Sequence, residues 1–173
     1  MMGSPTDELG RDSDETLHQV TLTKPYYIGV FETTQKQYAL ITGADPSSGN
    51  KGDTRPVDSV SYNMVRGAVN GAAWPLNNQV DADSVLGKLR LRTNLTVDLP
   101  TEAQWEYACR AGSATRYYHG NTDEDLDRIG WYKNNSGGVT HPVGQKEPNV
   151  FGLFDMLGNA FEWVIDLFHD HYH

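Results

Sequence analysis

The sequence predicts a single domain with short helices, little strand and long irregular segments. Its 173 residues suit one domain with a core of its own. The 17 Gly and 8 Pro favour turns and loops, and they lack the repetition of a low-complexity chain. Two short stretches carry strong helix-start signals, and no linker-like segment divides the chain. We therefore expect one domain over residues 1–173.

The first predicted elements are a loop and a strand. Residues 1–16 are polar and acidic, which predicts a turn followed by a loop. In HQVTLTKPYYIGVFETT, alternation of apolar and polar residues is typical of an extended strand. Its strand-forming residues are Val20, Leu22, Tyr27 and Val30.

The first predicted helix lies in ETTQKQYALITG. Thr34 is a suitable N-cap, Gln37 stands at the capping-box position and Gly43 is a natural stop. A second candidate, VSYNMVRGAVNGAAW, has apolar residues at helical spacing, namely Met64, Val65, Ala68, Val69 and Ala72.

TEAQWEYACRAG is the clearest helix. Thr101 and Gln104 form another capping box, Glu106 and Arg110 are one turn apart, and Gly112 ends the pattern. The weaker segments are the polar stretch from Pro75 to about Leu86, which predicts a surface insertion, and RLRTNLTVDLP, which predicts a short strand or an extended lead-in. After residue 112 we expect sparse regular structure.

Charge and hydropathy argue against several classes of binding partner and against a membrane-spanning segment or signal peptide. With 23 acidic against 14 basic residues, the net charge is -9, which disfavours nucleic acid or an anionic membrane as the main partner. No apolar run is long enough to span a bilayer, and MMGSPTDELGRDSDE lacks the basic start and apolar centre of a signal peptide. The sequence assigns no compartment.

Four separated strings, in a fixed order, carry a family resemblance. They are MGSP at residues 2–5, YIGVFETT at 27–34, LPTEAQWEYACRAG at 99–112 and GLFDMLGNAFEW at 152–163. Together they resemble the formylglycine-generating enzyme family, also called the sulfatase-modifying factor domain. The common catalytic signatures, such as a phosphate-binding glycine loop or an HExxH helix, are absent from the sequence.

The resemblance implies an α+β domain related to C-type lectins, with little regular secondary structure. Enzyme members of that family use copper and oxygen to oxidise a cysteine of a sulfatase to formylglycine. Other members build ergothioneine, act in pyoverdine maturation or are binding modules. A fold alone does not select among these functions.

The resemblance also implies that the chain is incomplete at both ends. In family members the counterpart of GLFDMLGNAFEW is followed by an RGGSW-type segment, a reactive cysteine pair and a closing arginine-containing strand. None of these is in the sequence, and MGSP, which usually follows an opening strand, is nearly its first segment.

Cys109 is the single cysteine of the chain. Copper(I) prefers thiolate ligands, and one thiol in the middle of the TEAQWEYACRAG helix favours a small packing residue over a nucleophile. We therefore assign no catalytic residue, and we expect copper only where the missing C-terminal segment is present.

A structural calcium site is the metal site that the resemblance implies. Its ligands would be the carbonyl oxygens of Leu157, Gly158 and Ala160 and the side chain of Glu162, and calcium prefers such oxygen donors. The alternative is a Gly-Asn turn packed under Trp163, with Glu162 in a salt bridge. A second calcium site of the family would fall between residues 129 and 144, without assigned ligands.

Two further groups have a functional and a structural interpretation. In an extended strand, His169, His171 and His173 would share one face and could bind zinc or copper, but a frayed terminus is favoured. Eight aromatic residues could line a groove, although a core role is simpler; they are Trp105, Tyr107, Trp131, Tyr132, Phe151, Phe154, Phe161 and Trp163.

The resemblance implies two alternative functions. The first is copper- and oxygen-dependent oxidation of a cysteine in a sulfatase-like protein or peptide, with the reactive cysteine pair absent from this chain. The alternative is a non-catalytic, lectin-like module that binds a ligand or a protein on the same scaffold. The oligomeric state stays open.

Overall fold

A computed structural model of the chain describes residues 1–167. The predicted histidine group of His169, His171 and His173 lies outside this range. Five α-helices and one 3-10 turn are present in the described part: α1 (Gln35–Thr42), α2 (Tyr62–Arg66), the 3-10 turn (Gly71–Ala73), α3 (Val85–Thr93), α4 (Glu102–Arg110) and α5 (Asp123–Ile129).

Helices α1 and α4 begin where their capping boxes predict. In α1 the Thr34 side chain accepts from the Gln37 amide, the Gln37 side chain accepts from the Thr34 amide, and Gly43 closes the helix at a φ of 89°. The Thr101 and Gln104 pair repeats this arrangement in α4. Each box satisfies two amides that a helix start leaves without an intrahelical acceptor.

Helix α2 is shorter than the predicted segment. It ends at Gly67, which has a φ of 102°, a conformation that favours glycine. A Cβ at Gly67 would lie 2.3 Å from the Asp81 carboxyl group. Asp81 accepts hydrogen bonds from the amides of Val69 (3.0 Å) and Asn70 (2.8 Å) and so holds the chain away from a helical path.

Two helices differ from the sequence-based expectation. The predicted strand in residues 90–100 is wrong at its start, because residues 90–93 belong to α3, which Ser84 caps and Asn94 ends in a left-handed conformation. Helix α3 packs against both α1 and α2, so the end of the predicted surface insertion is buried. Helix α5 was not predicted; Thr122 and Asp125 cap it.

Strand pairing is nearly absent from the described residues. Four isolated bridges occur, joining Met2 to His18, Ser4 to Thr16, Thr34 to Pro56 and Tyr117 to Gly120. The stretch predicted as a strand runs to residue 33 without a ladder, and its Val30 carbonyl accepts from the Phe154 amide (3.0 Å). Strand formation needs a partner, which alternation alone cannot supply.

A buried apolar cluster lies between α4, α5 and the loop after residue 149. It comprises Ala108, Cys109, Tyr118, Ile129, Leu153 and Met156. The prediction that the aromatic set is mainly core is wrong for several members, since Tyr107, Phe151, Phe161 and Trp163 are about half or fully exposed. Within residues 1–167, no helix is long and apolar enough to cross a membrane.

Candidate metal site

The predicted ligands lie in a tight turn between Asp155 and Glu162. Asp155 (φ 58°) and Asn159 (φ 72°) adopt left-handed conformations, which Asp and Asn tolerate better than most residues. The Gly158 amide donates to the Asp155 carbonyl (3.3 Å), and the Ala160 amide donates to the Gly158 carbonyl (3.1 Å). Residues 155–162 are called the metal turn below.

The metal turn packs backbone to backbone against residues 130–131. A Cβ at Gly130 would lie 2.5 Å from the Leu157 carbonyl oxygen, and one at Gly158 would lie 2.3 Å from the Trp131 carbonyl oxygen. The Asn159 amide donates to that same Trp131 oxygen (2.8 Å). Both glycines are therefore required by close approach of two chain segments.

The Asn159 side chain joins the metal turn to the next loop. Its Oδ1 accepts from the His141 amide (2.7 Å), and its Nδ2 donates to the His141 carbonyl (3.1 Å). The hydrogen bond of Asn159 to a neighbouring loop, one alternative to a ligand role, is thus present.

Glu32 reaches the metal turn from a distant part of the chain. Its Oε1 accepts from the Ala160 amide (2.8 Å), and its Oε2 accepts from Asn159 Nδ2 (2.7 Å). Glu32 is 6% exposed, and burial raises its pKa to about 8. Hydrogen bonds from the turn oppose that rise, while the charges of Asp155 and Glu162 add to it.

Asp155 is a second buried carboxyl group beside the turn. It is 3% exposed, and its Oδ2 accepts from the Gly144 amide (2.7 Å). Its Oδ1 is buried and has no hydrogen-bond partner in the described part of the chain. Burial raises the pKa of Asp155, and the hydrogen bond from the Gly144 amide opposes that rise. The charge of Asp155 in turn contributes to the raised pKa of Glu32 and of Glu162.

Glu162 accepts a hydrogen bond at Oε2 from the Trp105 indole Nε1. Glu162 as a whole residue is exposed, yet burial of its carboxylate by neighbouring atoms raises the pKa of this group. The hydrogen bond from the Trp105 indole opposes that rise. No ion pair of Glu162 occurs among residues 1–167, so the described part of the chain does not show the salt bridge of the alternative interpretation.

The donor set of the metal turn fits calcium. In the described residues, the carbonyl oxygens of Leu157 and Ala160 accept no hydrogen bond, and neither does Oε1 of Glu162. The Gly158 carbonyl accepts one, from Ala160. Hard oxygen donors with free lone pairs are what calcium prefers. No three His, Cys, Asp or Glu side chains within residues 1–167 are placed to hold a metal together, so a site here depends on carbonyl oxygens.

The loop from 129 to 144, where a second calcium site was expected, is held by side chains. Asn135 Nδ2 donates to the Gly130 carbonyl (3.0 Å) and to Asp127 Oδ1 (3.2 Å). Trp131 stacks on His141 with ring centroids 3.8 Å apart, and the Lys146 ammonium lies 4.0 Å from the centroid of the Trp131 ring. The second site stays a prediction.

Cys109 does not fit copper chemistry. It is 6% exposed in the core cluster, and its Sγ donates to the Met156 carbonyl (3.5 Å). Burial raises its pKa to about 12, with the Arg110 charge opposing and the Glu106 charge adding to the rise. A thiol that stays protonated is neither a soft ligand nor a nucleophile. The packing role predicted for Cys109 agrees with this geometry.

Comparison with known sequences decides the family. The sequence model of the sulfatase-modifying factor enzyme 1-like domain matches residues 1–173. The chain belongs to the sulfatase-modifying factor family. Its fold is therefore that of this family, with few helices and almost no strand in the described part.

Relatives within the sulfatase-modifying factor family have different names. The chain is 30% identical over 185 residues to the chaperone protein LppX of Paenibacillus barcinonensis, covering 88% of this chain and 65% of LppX. It is 41% identical over 85 residues to the formylglycine-generating enzyme of Mycobacterium tuberculosis, covering 43% of this chain and 28% of that enzyme. The structure of PvdO from Pseudomonas aeruginosa superimposes with a TM-score of 0.74 at 31% identity, covering 99% of this chain and 68% of PvdO.

Proposed function

We propose that residues 1–173 form a calcium-stabilised binding scaffold of the sulfatase-modifying factor type. The observation that carries the calcium part is the donor set of the metal turn: within residues 1–167, the carbonyl oxygens of Leu157 and Ala160 and one carboxylate oxygen of Glu162 accept no hydrogen bond. Three carboxyl groups, Glu32, Asp155 and Glu162, interact electrostatically around this turn. A bound cation would offset that charge.

Calcium titration by calorimetry tests this site. We expect wild-type protein to bind calcium and Glu162→Gln to bind at least about tenfold more weakly, because an amide is a poorer calcium ligand than a carboxylate. Glu124→Gln, the same change at an exposed residue of α5, is the matched control and should bind as wild type. Equal affinity of wild type and Glu162→Gln, or no binding by a wild-type sample that melts cooperatively, would contradict the proposal.

A binding role is the second part of the proposal. The single thiol of the chain is buried and protonated, so residues 1–173 supply no thiolate pair for copper. The proposed partner of the scaffold is an extended peptide, a sulfatase-like protein or another ligand. The similarity to LppX, which is named a chaperone protein, and to PvdO is compatible with such a role.

Oxidation of a sulfatase cysteine to formylglycine is the second candidate function. The 41% identity to the mycobacterial formylglycine-generating enzyme over 85 residues favours it. We propose that this reaction requires thiolates other than Cys109. The test is aldehyde formation on a cysteine peptide with copper and oxygen, using wild type and Cys109→Ala. We expect no product from either; product with wild type that Cys109→Ala abolishes would contradict the assignment of Cys109.

The domain class is part of the same proposal. We infer one domain over residues 1–173 of the α+β, C-type-lectin-like class, on the basis of the family resemblance. A crystal structure with a sheet of paired strands would support that class, and two separate thermal transitions would argue against a single domain.

A further inference from the structure

Glu32 lies in the extended segment before α1, 127 residues ahead of Asn159 in sequence. Each of its carboxylate oxygens accepts a hydrogen bond from the turn, at 2.8 Å from the Ala160 amide and 2.7 Å from Asn159 Nδ2. The residue is 6% exposed. Glu32 therefore makes a buried, two-point contact with two consecutive residues of the turn.

Glu32 and the Trp131 carbonyl hold the two peptide groups that join the proposed ligand residues Gly158 and Ala160. The peptide between Asn159 and Ala160 is held through the Ala160 amide by Glu32. The peptide between Gly158 and Asn159 is held through the Asn159 amide by the Trp131 carbonyl (2.8 Å). Because an amide and its carbonyl share one plane, the second contact also sets the direction of the Gly158 oxygen.

A carboxylate is a costly acceptor at this position. No ion pair of Glu32 occurs among residues 1–167, and its carboxylate is buried against the turn. A neutral acceptor could satisfy one amide without that penalty. The charge becomes favourable when a cation occupies the turn.

We propose that Glu32 is a positioning residue for the metal turn. It does not touch the ion; it holds residues 159–160 in the ligand conformation and adds negative potential beside the ion. This inference rests on the proposed calcium site. Outer-shell partners of metal ligands change metal affinity by about 10- to 100-fold when they are removed.

The test uses calorimetry on the full chain with calcium as the probe. Glu32→Gln should weaken calcium binding by at least about tenfold, because its amide group would face the Asn159 amide group, donor to donor. In the double variant Glu32→Gln with Asn159→Asp, donor and acceptor are exchanged. The Gln amide can then donate to the Asp carboxylate, which still accepts from the His141 amide but no longer donates to the His141 carbonyl, so part of the affinity should return.

The outcomes separate this inference from the calcium proposal. Unchanged affinity in a folded Glu32→Gln variant would overturn the role of Glu32. Should Glu32→Gln fail to fold, a folded double variant that binds calcium supports the role, and one that does not bind overturns it. Wild type without calcium binding would overturn the calcium proposal instead. Hydrogen exchange of the Ala160 amide in EDTA then tests whether Glu32 holds the turn without calcium. The inference requires that this amide is protected in wild type and that Glu32→Gln loses the protection.

Discussion

Arg66 is a charged side chain with no exposed surface. Its Nε and Nη2 donate to the two carboxylate oxygens of Asp98 (2.8 and 3.0 Å), and its Nη1 donates to the Gly71 carbonyl (2.6 Å). Asp98 also accepts from Arg90 Nη2 of α3 (2.8 Å). This bidentate pair joins α2 to α3 and to the chain before α4, and its geometry is the strong form of an ion pair.

Removal of Arg66 should destabilise the domain. We expect Arg66→Met to lower the free energy of unfolding by about 3–5 kcal/mol, because it leaves the partly buried Asp98 and the Gly71 carbonyl without this partner. Urea denaturation measures the change. Lys36→Met is the matched control, since Lys36 pairs with Asp53 at 3.5 Å while both side chains stay more than half exposed. Equal changes in the free energy of unfolding for the two substitutions would show that the buried pair contributes no more to stability than the exposed pair.

Among the elements, α4 carries the strongest local signals and holds several distant segments. Its Glu106 accepts from the Gly3 amide (3.0 Å), and its Arg110 donates to the Gly3 carbonyl (3.1 Å). The Ala108 carbonyl accepts from the buried Asn149 (2.7 Å). The MGSP segment and the loop before the metal turn are therefore both anchored on one short helix.

Loss of the α4 cap should be measurable. Thr101→Ala removes the acceptor of the Gln104 amide (3.2 Å) and should cost about 0.5–2 kcal/mol in the free energy of unfolding. A drop of roughly 2–4 °C in melting temperature per kcal/mol is expected for a chain of this size. Thr96→Ala, at an exposed residue, is the control and should melt as wild type. Equal melting of both variants would contradict a stabilising role of the cap.

At the scale of the whole molecule, acidic side chains are concentrated where three distant segments of the chain pack together. The segment around Glu32, the loop around Gly144 and the metal turn meet through Asn159 and Asp155. The chain has a net charge of -9, but its surface charge is screened by solvent, whereas these carboxyl groups are buried. Calcium at the turn would thus stabilise the contact among three segments, which is how the proposed site would contribute to the fold.

Local sequence signals were sufficient for the starts of α1 and α4 and for the Gly-Asn turn. Those structures depend on contacts between residues about three positions apart, such as Thr34 with Gln37, so the residues themselves determine them. Family motifs likewise identified the sulfatase-modifying factor domain.

Tertiary contacts decided the remainder. Helix α2 ends where Asp81 occupies the space beside Gly67, and residues 90–93 are helical because α3 packs on α1 and α2. No local pattern indicated that Glu32 and Asp155 would be buried beside one turn, since their partners lie far away along the chain or across a loop. Capping is a contact within one helical turn, whereas burial and charge at a site depend on which distant segments meet.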